Sequence, residues 1–379
     1  MGTGPDMQRS FLADNLRNLL RNLRDEGLSA IPGRLAEIAG RKFARGFEEV
    51  AYRTPLGDTI GRGYRGHGIV VMFHEIHTDV DAELRTGCDP AQLERIILAL
   101  RASKRDIVTI PEGLRRLADP ASSPFAVLTF DDAYRDNLTN ALPLLERLEA
   151  PLTLFVPTGM ITRETYAWWL GLREWILKND SIDVVPMGRR FSCADLASKL
   201  STMRQLTSWI GYDQARADSL MPVFDAQAIS IPALVDRYAM DEAELRRFAS
   251  HPLVTIGAHT ETHRILSGLS APELAAEFRG NKSYLEAMFD RPVSFLAYPY
   301  GTPDSCGARE ARLASEAGFE ASFTTRHGHL FSEHLRHPHL LPRIDVGYAP
   351  QSAASLATRL SGLHRAMATH FGNPVATEV

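Results

Sequence analysis

The chain has 379 residues, of which 44% are hydrophobic and 23% charged, with a formal net charge of -4. That is the balance of a soluble globular protein with a large core, and nothing in it points to nucleic acid. Cys88, Cys193 and Cys306 are odd in number, widely spaced and form no CxxC pair, which argues against a disulfide framework and for a reducing compartment.

The N-terminus shows no basic stretch followed by an uninterrupted apolar run, and no segment approaches 18 apolar residues. We therefore expect neither a signal peptide nor a spanning helix, and a cytoplasmic location. Residues 9 to about 50 read as helical, with Leu12, Leu16, Leu19, Leu20 and Leu23 on one face and Arg17, Arg21 and Arg24 elsewhere. That face suits packing on the main domain or on a second subunit, or weak contact with a membrane surface. Five glycines between Gly57 and Gly68 read as a linker, so residues 1–66 form a helical extension.

The main domain is expected over residues 67–347. Strands are predicted at 69–73, 107–110, 125–130, 152–156, 253–256, 295–298, 321–324 and 340–346. Helices are predicted at 93–102, 111–118, 137–149, 241–248, 272–288 and 309–317. This alternation indicates an α/β architecture with a parallel sheet, whose sites form at the carboxyl ends of strands. Residues 161–241 break the pattern with Pro186, Pro222 and Pro232, and hold Trp168, Trp169, Trp175 and Trp209. They read as a mostly helical insertion whose tryptophans either build its core or stack on a sugar ring. The tail, 348–379, reads as a final amphipathic helix from Ser352 to Phe371.

Two of these strands end on metal-type ligands. Phe125-Ala126-Val127-Leu128 runs into Thr129-Phe130-Asp131-Asp132, and Leu253-Val254-Thr255-Ile256 precedes His259-Thr260-Glu261-Thr262-His263. Two imidazoles four residues apart can reach one ion, and a carboxylate can supply a third ligand. Three protein ligands leave an open position for water, as a hydrolytic metal requires. Neighbouring side chains on extended backbone point to opposite sides, so Asp131 and Asp132 do different jobs.

Thr129-Phe130-Asp131-Asp132 resembles the first motif of the polysaccharide deacetylases, the NodB-homology carbohydrate esterases. His259-Thr260-x-x-His263 resembles their second motif, and Ala297-Tyr298-Pro299-Tyr300-Gly301 a variant of their third. The resemblance covers roughly residues 67–347. It implies a distorted (β/α) barrel of fewer than eight strands that removes N-acetyl groups from the sugars of a polysaccharide or glycoconjugate. It implies a divalent metal held by Asp132, His259 and His263, zinc first, with nickel, cobalt, manganese and iron also suited to such a site. It assigns Asp131 as general base and the backbone N–H of Tyr300 to the oxyanion.

Two departures from the family pattern matter. The late segment Leu341-Pro342-Arg343 lacks the usual acid histidine, but Val71-Met72-Phe73-His74 resembles the first strand of a circularly permuted branch, which makes His74 the general acid and His77 a weaker candidate. Ala297 stands where the third motif has an Arg that holds the base, so either another cation orients Asp131, with Arg343 the candidate, or Asp131 is left less constrained and Arg343 is a structural or surface residue. His327, His329, His334, His337 and His339 crowd one loop without matching any hydrolase motif. The competing readings are hydrolysis of another non-peptide C–N bond, attack on an O-acetyl ester, and a glycan-binding protein without catalysis.

Overall fold

In the computed structural model, residues 56–78, 84–347 and 352–375 are described. The helical reading of residues 9–50 lies outside them. Seven strands lie in chain order: β1 (Gly68–Phe73), β2 (Phe125–Asp131), β3 (Leu152–Val156), β4 (Val254–Ala258), β5 (Phe295–Ala297), β6 (Ala321–His327) and β7 (Leu341–Asp345). Each pairs in parallel with the next, and β7 returns to β1 through Val71 opposite Ile344. The result is a closed seven-stranded parallel barrel, as expected from the sequence.

The strands are apolar almost throughout because both of their faces are covered. Val70, Phe125, Val127, Phe155, Phe295, Phe323 and Leu341 form one cluster inside the barrel. The alternate residues, among them Ile69, Val71, Phe73, Leu128, Phe130 and Leu154, pack outward against the helices. The barrel interior leaves no room for extra side-chain atoms at two glycines: a Cβ on Gly68 would stand 2.2 Å from the Phe125 ring, and one on Gly257 2.5 Å from the Phe155 ring.

Among the helices of the described residues are α1 (Leu56–Gly61), α2 (Pro90–Ala102), α3 (Ile110–Ala118), α4 (Leu142–Arg147), α5 (Trp168–Lys178), α6 (Leu196–Ile210), α7 (Glu242–Ala249), α8 (Ala271–Phe289), α9 (Ala308–Glu316), α10 (Ala353–Leu360) and α11 (Leu363–Ala368), with further helices at Thr158–Thr162, Gln214–Asp218, Met221–Ala226 and Ile231–Tyr238. Several starts are written locally. Asp89 caps α2 ahead of Pro90, and Asp241 and Ser270 form reciprocal capping boxes with Glu244 and Glu273. Among the described residues no helix is long and apolar enough to cross a membrane.

Several boundaries differ from the sequence reading. The glycine-rich segment read as a linker holds α1 and a 3₁₀ turn at Arg62–Tyr64. Gly61 serves close approach there, since a Cβ would lie 2.4 Å from the Ser361 carbonyl oxygen. The strand expected at 107–110 shrinks to Asp106–Ile107, because Pro111 at the first turn of α3 draws Ile110 into the helix. The helix expected at 137–149 opens as a π turn over Asn137–Ala141 before α4, beside Pro143, which has no N–H to donate. The insertion carries a hairpin, Ser181–Val184 against Arg189–Ser192, besides its helices. The tail splits into α10 and α11 at Gly362, where φ is +87°.

Candidate active site

The site lies where β1, β2, β4 and β7 end. On β2, alternation turns Thr129 and Asp131 toward the barrel axis. The chain then leaves the strand through two left-handed residues, Asp132 (φ +74°) and Ala133 (φ +55°). The Asp132 N–H still donates to the Phe155 carbonyl on β3, at 3.1 Å. After β4 the loop carrying both histidines also uses left-handed backbone, at Thr260 (φ +64°) and His263 (φ +59°).

That loop is held by α8. Asn281 accepts the His259 N–H at 3.0 Å and donates to the Val156 carbonyl at 2.9 Å, so one buried amide ties the loop to β3. Glu277 accepts the N–H groups of Glu261 and Thr262 at 2.8 and 2.9 Å, and the Thr262 hydroxyl as well. Asn281 and Glu277 carry no motif signal, and only the spacing of an otherwise apolar helix face hints at them.

Asp132, His259 and His263 converge so that one ligand atom from each lies within 4.8 Å of the others, all three residues being buried. His259 Nδ1 is 2.7 Å from the Ala297 carbonyl, which can only accept, so Nδ1 carries the proton and Nε2 presents its lone pair. Burial lowers the His259 pKa to about 4, partly offset by Asp131, so the ring is neutral. Burial pushes the Asp132 pKa up, but the neighbouring imidazoles, His263 first, outweigh it, and the group is held below the usual carboxylate range. Asp132 Oδ1 then faces His259 Nε2 at 3.5 Å and His263 Nε2 at 3.3 Å, buried and without a hydrogen-bond partner. A carboxylate oxygen facing a neutral imidazole's lone pair is repulsive unless a cation lies between them. The donor set of two imidazole nitrogens and one carboxylate oxygen therefore fits a divalent metal.

Asp131 takes the other side. Arg343, fully buried on β7, forks onto it with Nη1 to Oδ1 and Nη2 to Oδ2, both at 2.8 Å. The same guanidinium reaches Thr129 Oγ1 at 3.2 Å and the Thr324 carbonyl at 3.0 Å. Burial raises the Asp131 pKa, and the Arg343 charge more than reverses this, so the carboxyl sits below its ordinary value. His74 follows β1 and places Nε2 at 4.0 Å from Asp131 Oδ2. Phe73 is opposite Phe130 in the β1–β2 ladder, and this register sets His74 level with Asp131. His77 follows a short strand, Glu75–Ile76, that pairs with Gly87–Cys88, and its backbone N–H donates to the Cys88 carbonyl at 3.0 Å.

Tyr300 is left-handed, with φ +62°, and its N–H makes no backbone hydrogen bond among the described residues. Its ring lies 5.2 Å from that of His263, and burial raises the pKa of its hydroxyl. The structure thus brings Asp131, Asp132, His74, His259, His263 and Arg343 around one point, with Tyr300 at its edge.

The model of the family described as Polysaccharide deacetylase matches residues 118–322, more than half of the sequence. The chain belongs to the polysaccharide deacetylase family. Solved structures it resembles include a Streptococcus pyogenes deacetylase, PplD, in complex with acetate (16% identity, 74% of this chain and 92% of that one, TM-score 0.49). IcaB from Ammonifex degensii is 13% identical over 78% of this chain and 97% of that one, with a TM-score of 0.49. The Bacillus cereus polysaccharide deacetylase BC0361 is 15% identical over 77% of this chain and 68% of that one, with a TM-score of 0.49. Comparison with curated protein sequences finds no match.

In this member of the family Ala297 stands at the third motif; its backbone carbonyl receives His259, and Arg343, from a different strand, is the cation that holds Asp131. Three side chains of the histidine-rich segment are hydrogen-bonded within the fold, while both buried ring nitrogens of His327 lack a hydrogen-bond partner among the described residues. His329 bridges the Arg65 and Arg359 carbonyls, the latter at 2.9 Å, while His334 meets the Phe331 carbonyl at 3.2 Å and His339 the Ser322 hydroxyl at 3.1 Å. Trp168 and Trp175 are buried in the core of the insertion, and Trp169 and Trp209 pack against it half-buried. Cys88, Cys193 and Cys306 are free and buried.

Proposed function

We propose that the chain is a metal-dependent hydrolase that removes N-acetyl groups from the sugars of a polysaccharide or glycoconjugate. The observation that carries this reading is the division of labour between two adjacent carboxylates. Asp132 faces two imidazoles, while Asp131 is held by Arg343 with His74 at 4.0 Å. A binding protein would have no use for a base and an acid paired beside a metal-type ligand set.

Amide hydrolysis needs an activated water, a proton acceptor, a proton donor for the leaving amine and a stabilised oxyanion. A divalent ion on Asp132, His259 and His263 would polarise the scissile carbonyl and acidify water. Asp131, ionised at neutral pH, takes the proton from the attacking water. The Arg343 fork fixes the carboxylate plane and keeps it charged, which aligns the base while lowering its basicity. His74 gives its proton to the nitrogen that leaves on the sugar. The Tyr300 N–H, free of backbone partners, donates to the developing oxyanion. Burial of Asp131, Asp132, His259, His263 and Arg343 excludes bulk water from them and strengthens their charge interactions, while His74 is partly exposed.

The test is acetate release from N-acetylated oligosaccharides and sugar conjugates, by wild type and Asp131→Asn, after metal stripping and reloading. Metal-dependent release by wild type alone is expected. Absence of release from every substrate by metal-loaded wild type would contradict the reading.

A further inference from the structure

The insertion does more than cover the barrel. Its helix α5 reaches three of the candidate catalytic segments. Trp168 Nε1 donates to the Tyr300 hydroxyl at 2.9 Å. The Trp169 ring lies 4.7 Å from that of His263, tilted by 57°, and its Nε1 donates to the Tyr134 hydroxyl at 2.8 Å. One turn further on, Arg173 passes behind β1 and grips Glu75, the residue after His74, with Nη1 at 3.0 Å from Oε1 and 2.8 Å from Oε2.

Glu75 is fully buried, an expensive place for a carboxylate. Arg85 Nε donates to it at 2.8 Å, and the Thr86 N–H at 2.9 Å. The backbone around it is pinned as well. The Glu75 N–H donates to the Thr86 carbonyl at 3.1 Å, the His74 carbonyl accepts from Asn137 at 2.7 Å, and the Ile76 carbonyl accepts from Asn140 at 2.6 Å. Consecutive side chains on this extended segment point to opposite sides. An anchor on Glu75 therefore sets where His74 points into the site. Arg173 makes that anchor from 98 residues away, with its guanidinium 4.3 Å from the Tyr238 ring centroid.

We propose that Arg173 is a positioning residue for the general acid, acting through Glu75 to hold His74 where it can protonate the leaving amine. The inference rests on the acid role given to His74 under the proposed function. It makes the insertion part of the catalytic apparatus as well as a cover over it.

The test exploits the leaving group. A sugar amine must be protonated to leave, whereas 4-nitrophenolate leaves without a proton. Acetate release is measured from tetrameric N-acetylglucosamine, or from whichever N-acetylated sugar wild type uses best, and from 4-nitrophenyl acetate. Wild type, His74→Ala, Arg173→Met and Arg173→Lys are compared, each checked for metal content and melting temperature. Loss of general acid catalysis is worth roughly 10²–10⁴-fold. His74→Ala should lose that much kcat on the amide and keep ester turnover within about threefold, a small part of that range. Arg173→Met should follow the same pattern, with an amide kcat roughly 10-fold to 100-fold down and KM little changed, since misplacement costs less than removal. Arg173→Lys should recover part of the lost kcat.

Arg173→Met strips the buried Glu75 carboxylate of one of its two arginines and leaves it to Arg85, a loss that can prevent folding. The double variant Glu75→Gln/Arg173→Met leaves no buried charge unpaired, and the same amide-selective loss is expected from it. Normal amide turnover in a folded Arg173 variant, or equal loss on both substrates, overturns the inference. Equal loss on both substrates by His74→Ala, or no release by wild type, contradicts the proposed function itself and removes the ground for the inference.

Discussion

At the scale of single residues, the proposed function separates holding a metal from moving a proton. Asp132→Ala, His259→Ala and His263→Ala should each lose bound metal and turnover together. Asp131→Asn should bind metal like wild type and lose turnover by roughly 10²–10⁴-fold. Metal content by plasma emission, set beside acetate release, separates the two classes. Full metal retention in His263→Ala would remove it from the ligand set. A second prediction concerns the buried fork. Arg343→Met leaves Asp131 buried and unpaired, which should cost about 3–5 kcal/mol. The folded pKa of Asp131 is depressed, so its contribution is complete above the unfolded value of about 3.9 and is lost as pH falls through the folded value. The stability gap between wild type and Arg343→Met should therefore be widest near neutrality and close below about pH 4. Urea midpoints from pH 7 to 3 measure it, and a gap that does not vary with pH would show that the ion pair is not its source.

The ligand candidates were legible in the sequence because they are local: two ordered motifs, each behind an apolar strand. Arg343 could be named because Ala297 leaves a charge without a partner and few cations end a strand nearby. Arg173, Glu277 and Asn281 could not be named in the same way. Their partners Glu75, Glu261 and His259 lie far off in sequence, and nothing local marks a buried Glu or Arg as paired until the fold closes.

At the scale of elements, α8 is the support that fixes the histidine loop. Asn281→Ala removes both the acceptor for His259 N–H and the donor to Val156. It should lower stability by about 1–3 kcal/mol and weaken metal binding by roughly 10-fold to 100-fold, as loss of an outer partner does. Competition with a chromophoric chelator measures the affinity, and unchanged affinity in a folded variant would deny α8 that role. The strands from β1 to β7 were readable because both of their faces are apolar. What was misread lies where one residue redirects the chain. Pro111 pulls Ile110 into α3, Gly362 divides the tail, and Gly61 makes a linker-like stretch into a helix packed beneath the Ser361 carbonyl. The hairpin within the insertion was hidden by the stronger helical periodicity around it.

At the scale of the whole molecule, barrel closure makes the chemistry possible. β1 and β7 are the first and last strands, yet they are neighbours. His74 and Arg343 thereby meet around one carboxylate of β2. Under the proposed function the site would tie folding to an ion, because a ligand bound to the native state alone stabilises it by about 2.7 kcal/mol at a hundredfold excess over Kd. Chelation should accordingly lower the melting temperature, with readdition restoring it, whereas Asp132→Ala should melt at the same temperature with or without chelator. A chelator-insensitive wild type would argue against a tightly held ion.

The most direct measurement titrates zinc into metal-stripped wild type and Asp131→Asn, following bound zinc and acetate released from the best N-acetylated sugar. The account predicts that both proteins bind zinc equally, and that release by wild type rises with occupancy to a plateau at one equivalent while Asp131→Asn releases none. Release by stripped wild type, or by zinc-loaded Asp131→Asn at the wild-type rate, would contradict it.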